Sequence, residues 1–94
     1  MADCYVYIVG CSDDTLYTGY ALDVDARVAK HNAGLGAKYT RNRRPVKLLY
    51  KESCASKSEA LKREYAIKKL TRLEKLELIG RENDALIHHW DTNR

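Results

Sequence analysis

Apolar and polar positions near the start of the chain alternate with a period of two. Tyr5, Tyr7 and Val9 fall on one side of an extended segment, and Val6 and Ile8 on the other. The β-branched and aromatic bias returns from Thr15 to Tyr20, and Ser12-Asp13-Asp14 supplies a polar turn between the two runs. Residues 5–19 therefore predict a β-hairpin with a tyrosine near the middle of each strand. A loop of three or five residues would set Tyr7 directly opposite Tyr17, both side chains on one face.

Further along, the period changes. Asp23 can cap a helix from Val24 to about His31, with Val24, Val28 and His31 on its apolar face and the Asn32–Gly36 stretch ending it. Residues 35–45, LGAKYTRNRRP, lack apolar periodicity and read as a loop or one short helical turn. In the third strand, Val46 to Glu52, Val46, Leu48 and Tyr50 alternate with Lys47 and Lys51. Ser56-Lys57-Ser58-Glu59 fits a capping box opening a helix to about Leu70. A second box, Thr71-Arg72-Leu73-Glu74, opens a short helix with Leu73, Leu76 and Ile79 on one side and Gly80 as its stop. These elements predict an α+β (α/β) fold, a small three-stranded antiparallel sheet flanked by helices. Residues 1–81 form the expected domain and 82–94 a polar tail, in which His88, His89 and Asp91 make only a weak metal signature.

Composition narrows the class. Ninety-four residues, 45% hydrophobic and 32% charged, suit one globular domain with one modest core. No apolar run reaches the roughly 20 residues of a membrane span, and no signal-peptide layout opens the chain, so the expected compartment is the cytoplasm. Cys4, Cys11 and Cys54 are odd in number and lack zinc-ligand spacing, so they read as reduced, small apolar residues. No nucleotide-binding loop, zinc-protease or serine-hydrolase motif occurs.

The net charge of +4 is mild, but the clustering is not. Lys38, Arg41, Arg43, Arg44 and Lys47 crowd around Tyr39 and Thr40, a patch suited to phosphates or, equally, a solvated basic loop. Arg27 lies one turn before His31, aimed at the sheet or along its rim. Glu64 falls between Ala60, Ile67 and Leu61 near the centre of an apolar arc, where a carboxylate is costly unless a cation meets it. That cation is either Lys68, four residues on, or a metal.

Taken together, Tyr7, then Tyr17-Thr18-Gly19, then Arg27 with His31-Asn32, then the Gly34–Thr40 stretch, and finally Glu64 resemble the GIY-YIG nuclease superfamily. The likeness covers residues 4 to about 80 and is greatest to its small stand-alone bacterial-type members. Tyr5 stands where the first motif has glycine, and Thr18 where the second has isoleucine.

The resemblance implies hydrolysis of a DNA phosphodiester assisted by a single magnesium or manganese ion, in repair or recombination; RNA stays open as a substrate. It implies that Tyr7 activates the attacking water, Tyr17 supports it or contacts phosphate, Arg27 stabilises phosphate charge and Glu64 holds the metal. His31 and Tyr39 match places of further active-site groups. Lys38, Tyr39, Arg41, Arg43, Arg44 and Lys47 would line the nucleic acid. One glutamate suffices for magnesium, which keeps most of its water. A monomer or weak dimer is expected. The alternative is a nucleic-acid-binding or partner-docking module with the nuclease fold and little turnover.

Overall fold

In the computed structural model, which describes residues 4–82, the alternating segment becomes the central strand of the sheet. Strand β1 (Cys4–Gly10) pairs antiparallel with β2 (Leu16–Ala21) on one side and β3 (Lys47–Cys54) on the other, giving the order β2-β1-β3. Helix α1 (Val24–Asn32) and the single turn α2 (Lys38–Arg41) lie between β2 and β3 in sequence, and α3 (Lys57–Lys68) and α4 (Arg72–Glu82) follow. The expected architecture is the one observed.

Two buried clusters face away from each other across the sheet. Tyr7, Val9 and Cys11 pack with Val24 of α1 and with Ala21 and Val46. Cys4, Val6 and Ile8 pack with Ala60 and Ile67 of α3 and with Leu78 and Ile79 of α4. Both sides of β1 are thus covered, which is why its residues from Val6 to Val9 are all buried.

The hairpin register differs from the symmetric one. The loop holds five residues but is centred on Asp13, so Gly19 stands opposite Tyr7 and Val9 opposite Tyr17. Tyr7 and Tyr17 still share a face, as diagonal rather than direct neighbours. Local chemistry fixes this loop: Cys11 N–H donates to the Thr15 carbonyl at 2.8 Å, and Asp13 Oδ1 accepts from the Thr15 hydroxyl at 2.6 Å. Asp14 takes a positive φ of 66°, which aspartate tolerates.

The third strand also departs from simple alternation. A bulge between the pairs Ile8/Tyr50 and Val9/Leu48 inserts Leu49, so Leu48 packs on the α1 face while Leu49 and Tyr50 pack on the other. Asp23 caps α1 through the Ala26 N–H, as expected. At α3, Ser56 Oγ accepts from Glu59 N–H, while the Glu59 carboxylate reaches Ala55 N–H instead of its box partner. Thr71 and Glu74 make the full reciprocal box. Gly80 does not end α4; it is buried inside a helix that runs to Glu82, and Leu73 is 71% exposed instead of facing the core. His88, His89 and Asp91 lie outside the described residues.

Candidate active site

The site is built where β1, β2 and α1 meet. Tyr7, the central side chain of β1, is 1% exposed, and its ring crosses β2 at Gly19. A Cβ at Gly19 would stand 2.7 Å from Tyr7 Oη, so only glycine leaves room for that crossing. Tyr7 Oη lies 2.7 Å from His31 Nε2, a hydrogen bond made in a buried setting. His31 Nδ1 lies 2.7 Å from Thr40 Oγ1, and Thr40 is fully buried.

Tyr17 completes the aromatic group. Its ring centre is 6.5 Å from Tyr7 and 5.3 Å from His31. Tyr39 stacks on Tyr17 at 5.8 Å. Tyr7, Tyr17, His31 and Tyr39 are therefore one contiguous cluster, although they come from two strands, a helix and a single helical turn.

Beside this cluster opens a cleft of about 290 Å³, lined by Tyr17, Arg27, Lys30, His31, Leu35 and the backbone of Gly36 and Ala37. Arg27 is exposed on its wall, close enough to Tyr7 to favour the phenolate. Burial nonetheless dominates, with Tyr17 next, and pushes the Tyr7 phenol up to about 12. Burial, followed by the charge of Arg27, pushes His31 below its ordinary range, favouring the neutral imidazole.

Helix α3 lies against β2 and β1 on the opposite face. Lys68 Nζ sits 5.8 Å above the Tyr17 ring. Glu64 is near enough to Tyr7 for its charge to raise the phenol further. Its side chain is 17% exposed and stands at the flank of the buried face of α3, because Leu61, taken as core, is 41% exposed. Glu64 Oε2 pairs with Lys68 Nζ at 3.5 Å.

No group of three or more His, Cys, Asp or Glu side chains gathers among the described residues. A single, mostly buried carboxylate oxygen ligand suits magnesium, which takes one or two protein carboxylates and completes its shell with water. The donor set fits such an ion: Glu64 would be its protein ligand, and the ion would compete with Lys68 for that carboxylate.

The basic patch divides in two. Lys38, Arg41 and Lys47 are exposed and make no ion pair among the described residues. Arg43 is tied to the hairpin: its Nε donates to Asp13 Oδ2 at 3.0 Å, its Nη1 to the Tyr39 carbonyl, and its guanidinium covers the Tyr39 ring at 4.1 Å. Arg44 donates to the Arg41 and Asn32 carbonyls and packs over Gly34. Lys30 was missed from sequence; Thr40 was placed only as a neighbour of the basic residues, and Lys68 only as an ion-pair partner for Glu64. Lys30 could have been found by its i,i+3 spacing from Arg27, which puts both on the same side of α1.

The elements that carry this site lie within residues 3–77, which match the family model of the GIY-YIG catalytic domain. The chain belongs to the GIY-YIG family. Its relatives include the UPF0213 protein of Staphylococcus haemolyticus, 61% identical over 84% of this chain and 96% of the relative. That of Staphylococcus aureus strain N315 is 68% identical over 80% of this chain and 92% of the relative. Among solved structures, the UPF0213 protein BH0048 of Bacillus halodurans is similar with a TM-score of 0.54 and 48% identity, covering 82% of each chain. The protein EF2693 of E. faecalis gives 0.59 and 40%, covering 88% of this chain and 92% of its own. Family membership makes this a nuclease-type domain whose substrate class is nucleic acid.

Proposed function

We propose that the protein is a divalent-metal-dependent endonuclease that hydrolyses DNA phosphodiester bonds in the cytoplasm, in repair or recombination. The observation that carries this reading is the buried Tyr7–His31 hydrogen bond at 2.7 Å, set beside an open cleft whose wall holds Arg27. Two phenols and an imidazole in mutual contact, flanked by a guanidinium, are more than the packing of strand aromatics requires.

In this reading Arg27 holds two non-bridging phosphate oxygens with its planar fork. Lys30, a neighbour on the same helix, takes an adjacent phosphate of the strand. Tyr7 positions the attacking water and accepts its proton once in the phenolate form; Tyr17 and Tyr39 wall the cluster. With its phenol at about 12, Tyr7 cannot supply much phenolate at neutral pH without more positive charge nearby. Glu64 would hold a magnesium or manganese ion, and such an ion would supply that positive charge and Lewis-acid stabilisation of the phosphodiester. Lys38, Arg41 and Lys47 track the backbone of the nucleic acid.

The test is incubation of labelled duplex, single-stranded and branched DNA, and of RNA, with magnesium or manganese. Wild type is expected to cut at least one DNA, and Glu64→Ala and Arg27→Ala to lose cleavage while binding persists. Salt-sensitive binding with no metal-dependent cleavage of any substrate would reject the enzyme reading and leave a binding or docking module.

A further inference from the structure

His31 has two ring nitrogens and, when neutral, one hydrogen. Which nitrogen carries it decides whether Tyr7 Oη gives or receives the hydrogen bond between them. The surroundings of Nδ1 supply the answer. Ala37 N–H points at Nδ1 from 3.4 Å, and a backbone N–H can only donate. Thr40 Oγ1 stands 2.7 Å from the same nitrogen and 3.0 Å from the Ala37 carbonyl. The hydroxyl has one hydrogen to give. The hydroxyl is also placed to donate to the Ala37 carbonyl, which already receives Thr40 N–H at 3.2 Å, but an Nδ1 that accepts from Ala37 N–H carries no hydrogen of its own, so in the 2.7 Å contact the hydroxyl hydrogen belongs on Nδ1.

We propose that Thr40, with the Gly36–Ala37 backbone, is a positioning element that holds His31 in the Nε2–H tautomer and so makes Tyr7 Oη the acceptor. Two donors then converge on Nδ1, and both come from the segment that carries the basic patch. The fit is close: a Cβ at Gly36 would stand 2.3 Å from Nδ1, so only glycine lets this backbone reach the imidazole. Thr40 touches neither the cleft nor the Tyr7 oxygen, and it is fully buried. It acts through His31. The consequence falls on Tyr7. An Nε2–H aimed at Oη leaves the phenol hydrogen unengaged by the imidazole. The bond also strengthens when the oxygen becomes anionic, since charge-assisted hydrogen bonds are about twice as strong as neutral ones. The same segment that would meet the nucleic acid thus sets the chemistry of the buried tyrosine.

The tautomer assignment stands on the geometry alone; its effect on turnover rests on the nuclease reading above. The chain has three histidines, so His88→Gln and His89→Gln leave His31 as the only one. Nitrogen-15 NMR of this labelled parent at neutral pH reads which ring nitrogen is protonated. The expected result is Nε2–H in the parent and in Thr40→Ser, and a mixture of tautomers in Thr40→Val. On a DNA the parent cleaves, Thr40→Val is expected to lower kcat about tenfold or more with KM unchanged, and Thr40→Ser to restore it, in line with groups that orient an active-site histidine. A parent imidazole protonated at Nδ1 would overturn the proposal, as would a Thr40→Val protein with both tautomer and kcat unchanged. Should Thr40→Val fail to fold, the parent and Thr40→Ser spectra still decide the tautomer. Should no DNA be cleaved, the nuclease reading fails while the spectra separately sustain or overturn the tautomer.

Discussion

Gly19→Ala tests whether the tyrosine crossing is what the second strand is built to allow. The added methyl would lie 2.7 Å from Tyr7 Oη, 2.9 Å from Cζ and 3.2 Å from Tyr17 Cε2. Ordinary contacts begin at 3.4 Å, so the phenol must move by about 0.7 Å. Tyr7 is 1% exposed and bonded to His31 at 2.7 Å, so that displacement distorts the hydrogen bond instead of being absorbed by solvent. Overpacking of this kind costs ~1–3 kcal/mol of stability. A misplacement of about 1 Å at a reacting group costs on the order of 100-fold in turnover. The assay is metal-dependent cleavage of a labelled DNA under saturating conditions, with thermal melting to confirm that the variant is folded. Because the effect passes through Tyr7, the double variant Gly19→Ala/Tyr7→Phe should be no slower than Tyr7→Phe alone. A folded Gly19→Ala with undiminished kcat, or losses that multiply in the double variant, would refute the reasoning.

Thr18→Val should stabilise the fold. Thr18 Oγ1 is buried without a hydrogen-bond partner among the described residues, so removing the hydroxyl should gain ~1 kcal/mol and raise the melting midpoint by roughly 4–8 °C. The phenols of Tyr7 and Tyr50 are both pushed up to about 12, chiefly by burial. Their contribution to stability is therefore complete below pH 10.0, the ordinary phenol value, and is lost as pH rises toward 12; Tyr7→Phe and Tyr50→Phe should each blunt that alkaline loss in a melting series. Lys68→Met removes the ammonium paired with Glu64, so cleavage should reach half-maximum at a lower magnesium concentration, read from a metal titration. In DNA-binding titrations, Lys38→Gln and Lys47→Gln should each reduce the salt slope by about 0.9, whereas Arg43→Gln should lower the melting midpoint by freeing the hairpin turn.

Much of this fold could be read before any coordinates. The three strands, the Asp23 cap and the Thr71–Glu74 box follow from period, turn chemistry and capping, all of which act within a few residues. What escaped depends on geometry between elements. The two-residue shift in the hairpin register comes from the Asp13–Thr15 hydrogen bonds inside the loop, and the Leu49 bulge from pairing with β1; a strand's own alternation records neither. Gly80 looked like a stop because glycine favours helix ends, yet buried packing beside Ile79 carries it inside α4.

The candidate site shows the same division. Tyr7, Tyr17, Arg27, His31 and Glu64 were nominated by residue type and order, and the family likeness supplied their roles. Each was individually compatible with ordinary packing or solvation. Thr40 gave no signal among its charged neighbours; only the single turn of α2, which turns it inward while Lys38 and Arg41 stay exposed, brings it to His31. Arg43 and Arg44 looked like the rest of the basic patch, but the Asp13 carboxylate and the Asn32 carbonyl, both distant in sequence, engage them along with nearby Tyr39.

The central claim is that Tyr7 does chemistry at this site and is more than a buried strand aromatic. Tyr7→Phe removes one oxygen and keeps the ring that fills the space above Gly19. The decisive measurement is the single-turnover rate of magnesium-dependent DNA cleavage by this variant, with DNA affinity measured alongside. The account predicts a rate at least 100-fold below wild type with affinity unchanged, as for loss of a general base. A Tyr7→Phe protein that cleaves at the wild-type rate would contradict it.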